Sequence, residues 1–277
     1  MQDKHDTHPF AFVETRSGRV TRKPRTVGIS VVVDLGLPIP YQRSYLEMAA
    51  DFIDYGKLFA GSPKIYAEGY LREKVAAYQE HNVRTFPGGA FIEYVLAQMG
   101  MSHAPRFFKA VKDSGFDLVE ISDQFVPLTE DQRRTLANMA TGEGLGLVLE
   151  VGSMANAVDN ATLTEQIQSV LSMDPELVFL EGAEIFNKGN INHAIIEELK
   201  ANSLGERVVF EIGGPHISGM KHADMHDIKK MLIREFGANV NLANIRPEDI
   251  LDTETLRIGV GGTGPMIKGA SSFAVKP

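Results

Sequence analysis

FDLVEISD, at residues 116–123, is the stretch whose reading decides the fold. Its apolar residues Leu118, Val119 and Ile121 flank Glu120, and the run closes on Asp123. A short apolar run that ends in charge reads as a buried strand carrying functional groups to a rim. The same phrase returns as LGLVLEVG (145–152), PELVFLEG (175–182) and ERVVFEIG (206–213), each a few apolar residues, a glutamate and a turn. Working outward, VGISVVVD (27–34), IDYGKLF (53–59), VRTFPGG (83–89) and ANVNLANI (238–245) complete a set of eight strands.

Helical signals fill the gaps between them. Ser62-Pro63 places proline in a first turn, and Ile65, Tyr70, Leu71, Val75 and Tyr78 follow as an apolar stripe. Gly115 stands where a helix C-cap puts glycine, and Thr129 with Gln132 resembles a capping box, as does Thr162 with Glu165. Further helices are expected from Leu46 onward, near Ala90 and over 104–114, 194–202 and 225–236. Strands alternating with helices at a spacing of about 30 residues predict an α/β fold, a (β/α)8 TIM barrel. The barrel spans 27–260, after an N-terminal arm (1–26) lying over one barrel end and before a Gly-rich, flexible tail (261–277). A doubly wound sheet would carry a glycine fingerprint after its first strand, and Asp34-Leu35-Gly36-Leu37-Pro38 has none.

The 277 residues suffice for a large core without disulfide staples. Absence of cysteine excludes thiolate metal sites and a cysteine nucleophile. A net charge of −8 argues against nucleic acid or an anionic membrane as a general partner. No apolar signal region begins the chain and no run approaches the ~18 apolar residues of a membrane span, so the cytoplasm is the expected location.

In a parallel barrel all strand ends open on one face, where active sites form. Those ends carry Asp34, Lys57, Glu93 beyond Gly88-Gly89, Glu120 with Asp123, Glu150, Glu181, Glu211, and Asn241 with Asn244. Seven carboxylates cannot share a partly desolvated pocket as bare anions. Either a divalent cation neutralises some, or some are protonated, or several turn outward to cap helices or pair with cations. Oxygen-only donors favour Mg²⁺. Lys57 is suited to anion binding, general acid chemistry or a Schiff base, and Gly88-Gly89 to backbone N–H groups open to an anion. His216, His222 and His226 form a polar loop by default; the i, i+4 pair His222 and His226 is a weaker metal signal.

Taken together, KPRTVGISVVVDLGL (23–37), DFIDYGKL (51–58), FPGGAFIE (86–93), FDLVEISD, LEVG, FLEG, VVFEI, NVNLANI (239–245) and ILDTETLR (250–257) resemble the phosphosulfolactate synthase family in order and spacing. The resemblance implies a Mg²⁺-dependent, homo-oligomeric barrel lyase. Its reaction would add sulfite to phosphoenolpyruvate through an enolate-type intermediate, an early step towards coenzyme M. Lys57, Glu93, Glu120 and Asp123 are then expected as catalytic residues. Gly88, Gly89, Asn241, Asn244, Lys188 and Arg246 are expected to bind substrate, and Asp34, Glu150, Glu181 and Glu211 to hold Mg²⁺.

Two loops depart from the family pattern. Ser153-Met154-Ala155-Asn156 replaces a lysine-containing loop, and Glu181-Gly182-Ala183-Glu184-Ile185-Phe186 stands where the family reads Glu-Gly-Arg-Glu-Ser-Gly. Both changes remove cations from the rim, with Lys188, Lys221, Arg246 or the basic N-terminal arm as replacements. A related barrel enzyme with a different acid or nucleophile therefore stays open. So does a non-enzymatic role like that of the plant heat-stress protein resembling this family, although the retained acid ring and Lys57 argue against it.

Overall fold

The computed structural model describes residues 9–13, 15, 18–153, 158–187, 190–214 and 219–260. Its strands are β1 (Ser30–Asp34), β2 (Tyr55–Leu58), β3 (Arg84–Pro87), β4 (Leu118–Ile121), β5 (Gly146–Val151), β6 (Leu177–Leu180), β7 (Phe186–Asn187), β8 (Asn190–Ile191), β9 (Val209–Glu211) and β10 (Leu242–Ile245). Eight of them form one parallel sheet in the order β3-β2-β1-β10-β9-β6-β5-β4. The outer members β3 and β4 pack together, and the Asp117 N–H donates to the Thr85 carbonyl at 3.0 Å across the seam. This is the expected (β/α)8 barrel.

The helices between strands are α1 (Ile39–Ala49), α2 (Ser62–Ile65), α3 (Glu68–Gln79), α4 (Ala90–Met99), α5 (Ala104–Asp113), α6 (Glu130–Gly142), α7 (Asn160–Leu171), α8 (Gly182–Ile185), α9 (His193–Ala201), α10 (His222–Phe236) and α11 (Ile250–Ile258). The Thr129–Gln132 capping box is present in full. Elsewhere boundaries move for identifiable reasons. Helix α1 starts at Ile39 rather than near Leu46, because Pro40 sits in its first turn, where no N–H is needed. Asp159 caps α7 by accepting the Thr162 N–H, so Thr162 lies inside the helix. The stripe from Ile65 to Tyr78 is split between two helices, leaving Ile65 exposed and Leu71, Val75 and Tyr78 buried. The β7–β8 hairpin was not legible in the sequence pattern.

Strand alternation explains where the site sits. Val31, Tyr55, Phe86, Leu118, Val148, Phe179, Val209 and Ala243, one from each barrel strand, point inward and belong to one internal apolar core. Intervening residues such as Val32, Val119 and Leu149 join the larger core between sheet and helices. Two residues further along most strands the inward positions are Val33, Lys57, Gly88, Glu120, Glu150, Glu181 and Glu211. The charged belt thus stands directly above an apolar plug.

Described residues of the arm pack against the opposite end. Arg19 pairs with Glu254 at 2.8 Å, Arg25 with Asp54 at 2.9 Å, and Lys23 donates to the Ala50 carbonyl at 3.1 Å. Asp54 and Ala50 precede β2, so these cations lie at the N-terminal end of the barrel and cannot replace the lost rim cations. Residues 154–156, Lys188, His216 and the tail 261–277 lie outside the described residues.

Candidate active site and metal centre

A cavity of about 620 Å³ opens at the C-terminal face, with Lys57, Glu93, Glu120, Glu150, Glu181, Glu211, Asn244 and Arg246 among its lining residues. At its floor Lys57 Nζ lies 2.9 Å from Glu120 Oε1 and 2.8 Å from Glu211 Oε1, and 5.2 Å from the centre of the Phe179 ring. Burial works to lower the Lys57 pKa, but Glu120, Glu211 and Glu150 overcome it and hold the ammonium above the usual lysine value. Burial pushes Glu120 up to about 7, assisted by Glu211 and opposed by Lys57. Burial, then Glu211, raises Glu181 to about 7, and Glu150 is driven well above the carboxylate range by burial and its three acidic neighbours. Glu150 and Glu181 crowd each other and Glu211, which favours their protonated forms.

Glu120, Glu150 and Glu211 each bring an oxygen within 4.8 Å of the other two, the one such metal-competent group among the described residues. Glu120 Oε2 is buried with no hydrogen-bond partner. A hard-oxygen donor set with excess negative charge and an unpartnered buried oxygen fits Mg²⁺. Glu120, expected to act on substrate, therefore joins Glu150 and Glu211 in the candidate metal centre.

Other expected residues have different employment. Asp34 faces the helices: its Oδ1 accepts the Gly36 and Leu37 N–H groups at 2.8 Å each, and its Oδ2 lies 2.6 Å from Lys74 Nζ and 3.0 Å from Tyr78 Oη. Asp123 pairs with Arg133 at 2.5 Å, away from the cavity lining. Asn241 is buried at the N-terminal end, accepting the Ile29 N–H and donating to the Glu206 and Val208 carbonyls. Glu93 does line the cavity, but its oxygens accept the Ser122 hydroxyl and the Phe125 and Val126 N–H groups. Strand parity could have separated several of these. Asp34 and Asp123 fall out of phase with the inward residues Val31 and Leu118, whereas the four belt glutamates fall in phase.

The expected anion nest is half closed. The Gly88 N–H donates to the Leu58 carbonyl at 2.9 Å. What Gly89 supplies is space, since a Cβ there would stand 2.4 Å from Ser122 Oγ and 2.8 Å from Ser122 Cβ. Gly89→Ala is expected to cost about 1–3 kcal/mol of stability, read as a lower urea midpoint. An unshifted midpoint would mean that the β3–β4 contact relaxes freely.

Asn244, at φ +57°, lies within the register shift between β1 and β10; its Oδ1 is buried and unpartnered, and it lines the cavity. Arg246 also lines it, paired with Glu248 and 3.3 Å from His222 Nε2, with its Nε buried and unpartnered. His226 instead approaches Asp252 at 3.3 Å, so the described histidines form no metal site. Glu184, which sequence reasoning passed over, accepts the Ser153 and Val158 N–H groups and joins the two rewritten loops.

Comparison with known proteins adds the lineage. The sequence profile of the family described as (2R)-phospho-3-sulfolactate synthase (ComA) matches residues 18–263. The chain belongs to the phosphosulfolactate synthase family. Similar members include the phosphosulfolactate synthase of Methanocaldococcus jannaschii, 28% identical over 85% of this chain and 92% of that one. That of Methanothermobacter thermautotrophicus is 27% identical over 87% and 92%, and that of Bacillus subtilis 26% identical over 87% and 93%. Among solved structures, the 3-hexulose-6-phosphate synthase of Salmonella typhimurium overlays with a TM-score of 0.51 at 10% identity, covering 83% of this chain and 99% of that one. At that identity it speaks for the barrel alone. No helix among the described residues is long and apolar enough to cross a membrane.

Proposed function

We propose that this protein is a Mg²⁺-dependent carbon–sulfur bond-forming lyase that adds sulfite to phosphoenolpyruvate. The observation that carries the reading is the buried belt of Glu120, Glu150, Glu181 and Glu211 around Lys57, in a member of a family whose named relatives are phosphosulfolactate synthases. In the reaction, the sulfite sulfur forms a bond to C3, the π electrons move towards C2 and the carboxylate, and C2 then takes a proton. Negative charge builds on the acid's carboxylate side, where fixed positive charge is most effective.

Glu120, Glu150 and Glu211 would hold Mg²⁺, which supplies Lewis acidity towards the substrate carboxylate when bound. Lys57 commits two of its three ammonium protons to Glu120 and Glu211, leaving one for substrate. That N–H faces the developing charge and is the proton source at C2. Arg246, with its unpartnered Nε, receives the phosphate, and Asn244 Oδ1 takes a substrate or water donor. The apolar plug of Val31, Phe86 and Phe179 keeps water from reaching the belt from below. A cytoplasmic, homo-oligomeric enzyme belongs to the same reading.

Incubation with phosphoenolpyruvate, sulfite and Mg²⁺ is expected to yield phosphosulfolactate by mass spectrometry. EDTA should abolish formation and excess Mg²⁺ restore it. No product, together with no rise in melting temperature on adding phosphoenolpyruvate and Mg²⁺, would remove this substrate pair; metal-independent turnover would remove the carboxylate metal centre.

A further inference from the structure

Strands β4 and β5 do not end together. Their last paired residues are Ile121 and Leu149, after which β4 turns off while β5 runs on to Val151. Carbonyls along an extended strand point alternately to either side. The Val151 carbonyl accepts the Glu181 N–H at 3.0 Å on the β6 side, so the Glu150 carbonyl faces the side that β4 has left. Glu150 is buried, and a buried carbonyl without a strand partner needs another donor.

Arg133 supplies it. Its Nη1 donates to the Glu150 carbonyl at 3.0 Å, and its Nη2 donates to Asp123 Oδ2 at 2.5 Å, on the segment where the chain departs from β4. One residue further along β5's exit, Gln124 Nε2 donates to the Gly152 carbonyl at 3.1 Å. The guanidinium is delivered by a fixed piece of helix. The Thr129–Gln132 capping box closes the start of α6, and the Arg133 N–H itself donates to the Thr129 carbonyl at 2.9 Å. The side chains of Arg133 and Asp123 are only 12% and 17% exposed, so the pair is largely withdrawn from solvent. A planar fork holds two acceptors at a set spacing, which a flexible ammonium cannot do. Asp123 balances the charge, and what reaches Glu150 is a directed N–H.

Glu150 supplies one of the three carboxylates of the candidate metal centre, and its strand lacks a neighbour on one side at that very residue. A ligand must be held to within about half an ångström, which its own backbone has to guarantee. We infer that Arg133 is a positioning residue of the metal centre: with Asp123 as its counter-ion it stands in for the missing stretch of β4 and fixes the Glu150 carboxylate for Mg²⁺. This deepens the proposed function and rests on its placement of Mg²⁺ at Glu120, Glu150 and Glu211. It also gives Asp123 a task behind the belt, through Arg133 and without contact to substrate.

The test is calorimetric titration of Mg²⁺ into the full-length protein. Arg133→Met is expected to weaken binding by about 10–100-fold, the scale of losing a group that orients a metal ligand. Arg133→Lys, which keeps the charge without the fork, should lose less. Arg134→Met removes the adjacent exposed arginine, which pairs with Glu130, and should bind Mg²⁺ as the unmodified protein does. Affinity unchanged in Arg133→Met would overturn the inference and leave the metal centre standing; should that variant not fold, unchanged affinity in Arg133→Lys overturns it alone. An equal loss in Arg134→Met would trace the effect to helix charge, and the inference would be wrong. Absence of Mg²⁺ binding by the unmodified protein would remove the metal centre and this inference with it. Where phosphosulfolactate forms, Arg133→Met should need more Mg²⁺ for half-maximal rate and keep its kcat at saturating Mg²⁺. A lowered kcat at an unchanged Mg²⁺ requirement would count against positioning of the metal and overturn the assignment.

Discussion

Replacing Lys57 by methionine is expected to lower kcat/KM by roughly 10³-fold, the scale of losing a positioned acid, while the circular dichroism of the barrel is retained. The expectation follows from the position of Nζ, within 2.9 Å of both Glu120 and Glu211 and above the Phe179 ring. Methionine keeps most of the volume, so the apolar plug beneath stays filled. What disappears is the one cation in contact with both carboxylates among the described residues. An uncompensated buried charge costs about 3–5 kcal/mol if nothing replaces its partner. Here protons or Mg²⁺ can take that place, so the variant should be less stable at pH 8 in EDTA and recover with Mg²⁺. Calorimetric Mg²⁺ affinity should hold or tighten, because a competing cation has gone. A variant turning over at the normal rate would take Lys57 out of the mechanism. Loss of Mg²⁺ binding alongside activity would show that the lysine only holds the site together.

The second large effect is an inverted pH dependence of stability in the metal-free protein. Burial pushes Glu120 and Glu181 up to about 7 in the fold, against the ordinary glutamate value of 4.5. Between those values the folded chain binds more protons than the unfolded chain. Stability therefore falls as pH rises through this window, and levels off above about pH 7. Each shift corresponds to about 3 kcal/mol at most, since the groups share their charge and their shifts do not add. Glu150, raised further, extends the decline upward. In the proposed metal centre Mg²⁺ would bind the ionised belt of the folded state alone, so its stabilisation should grow with pH and flatten or reverse the slope. Melting temperatures at pH 5, 6, 7 and 8, each in EDTA and in excess Mg²⁺, test both statements. Metal-free stability that rises from pH 5 to pH 7, or a Mg²⁺ effect equal at pH 5 and pH 8, would contradict the protonated belt.

Much of this was legible in the chain itself. Local chemistry fixes the period-two alternation, so Leu118 and Glu120, Val148 and Glu150, Phe179 and Glu181, and Val209 and Glu211 must share a face whatever the register. Parallel strands then bring those four glutamates and Lys57 to one rim. The same parity turns Asp34 and Asp123 away from it, and the chain direction puts Lys23 and Arg25 at the far end, because they come just before the first strand. Only the tertiary structure decided which donors were already taken. Asp34 and Glu93 satisfy loop N–H groups, Gly88 gives its N–H to Leu58, and Asn241 fills the wrong end of the barrel. A buried polar group must find a partner, and that partner is set by distances between residues far apart in sequence. Residue type and spacing could place the carboxylates; the closing of the barrel chose which of them remain free to meet a metal ion and a substrate.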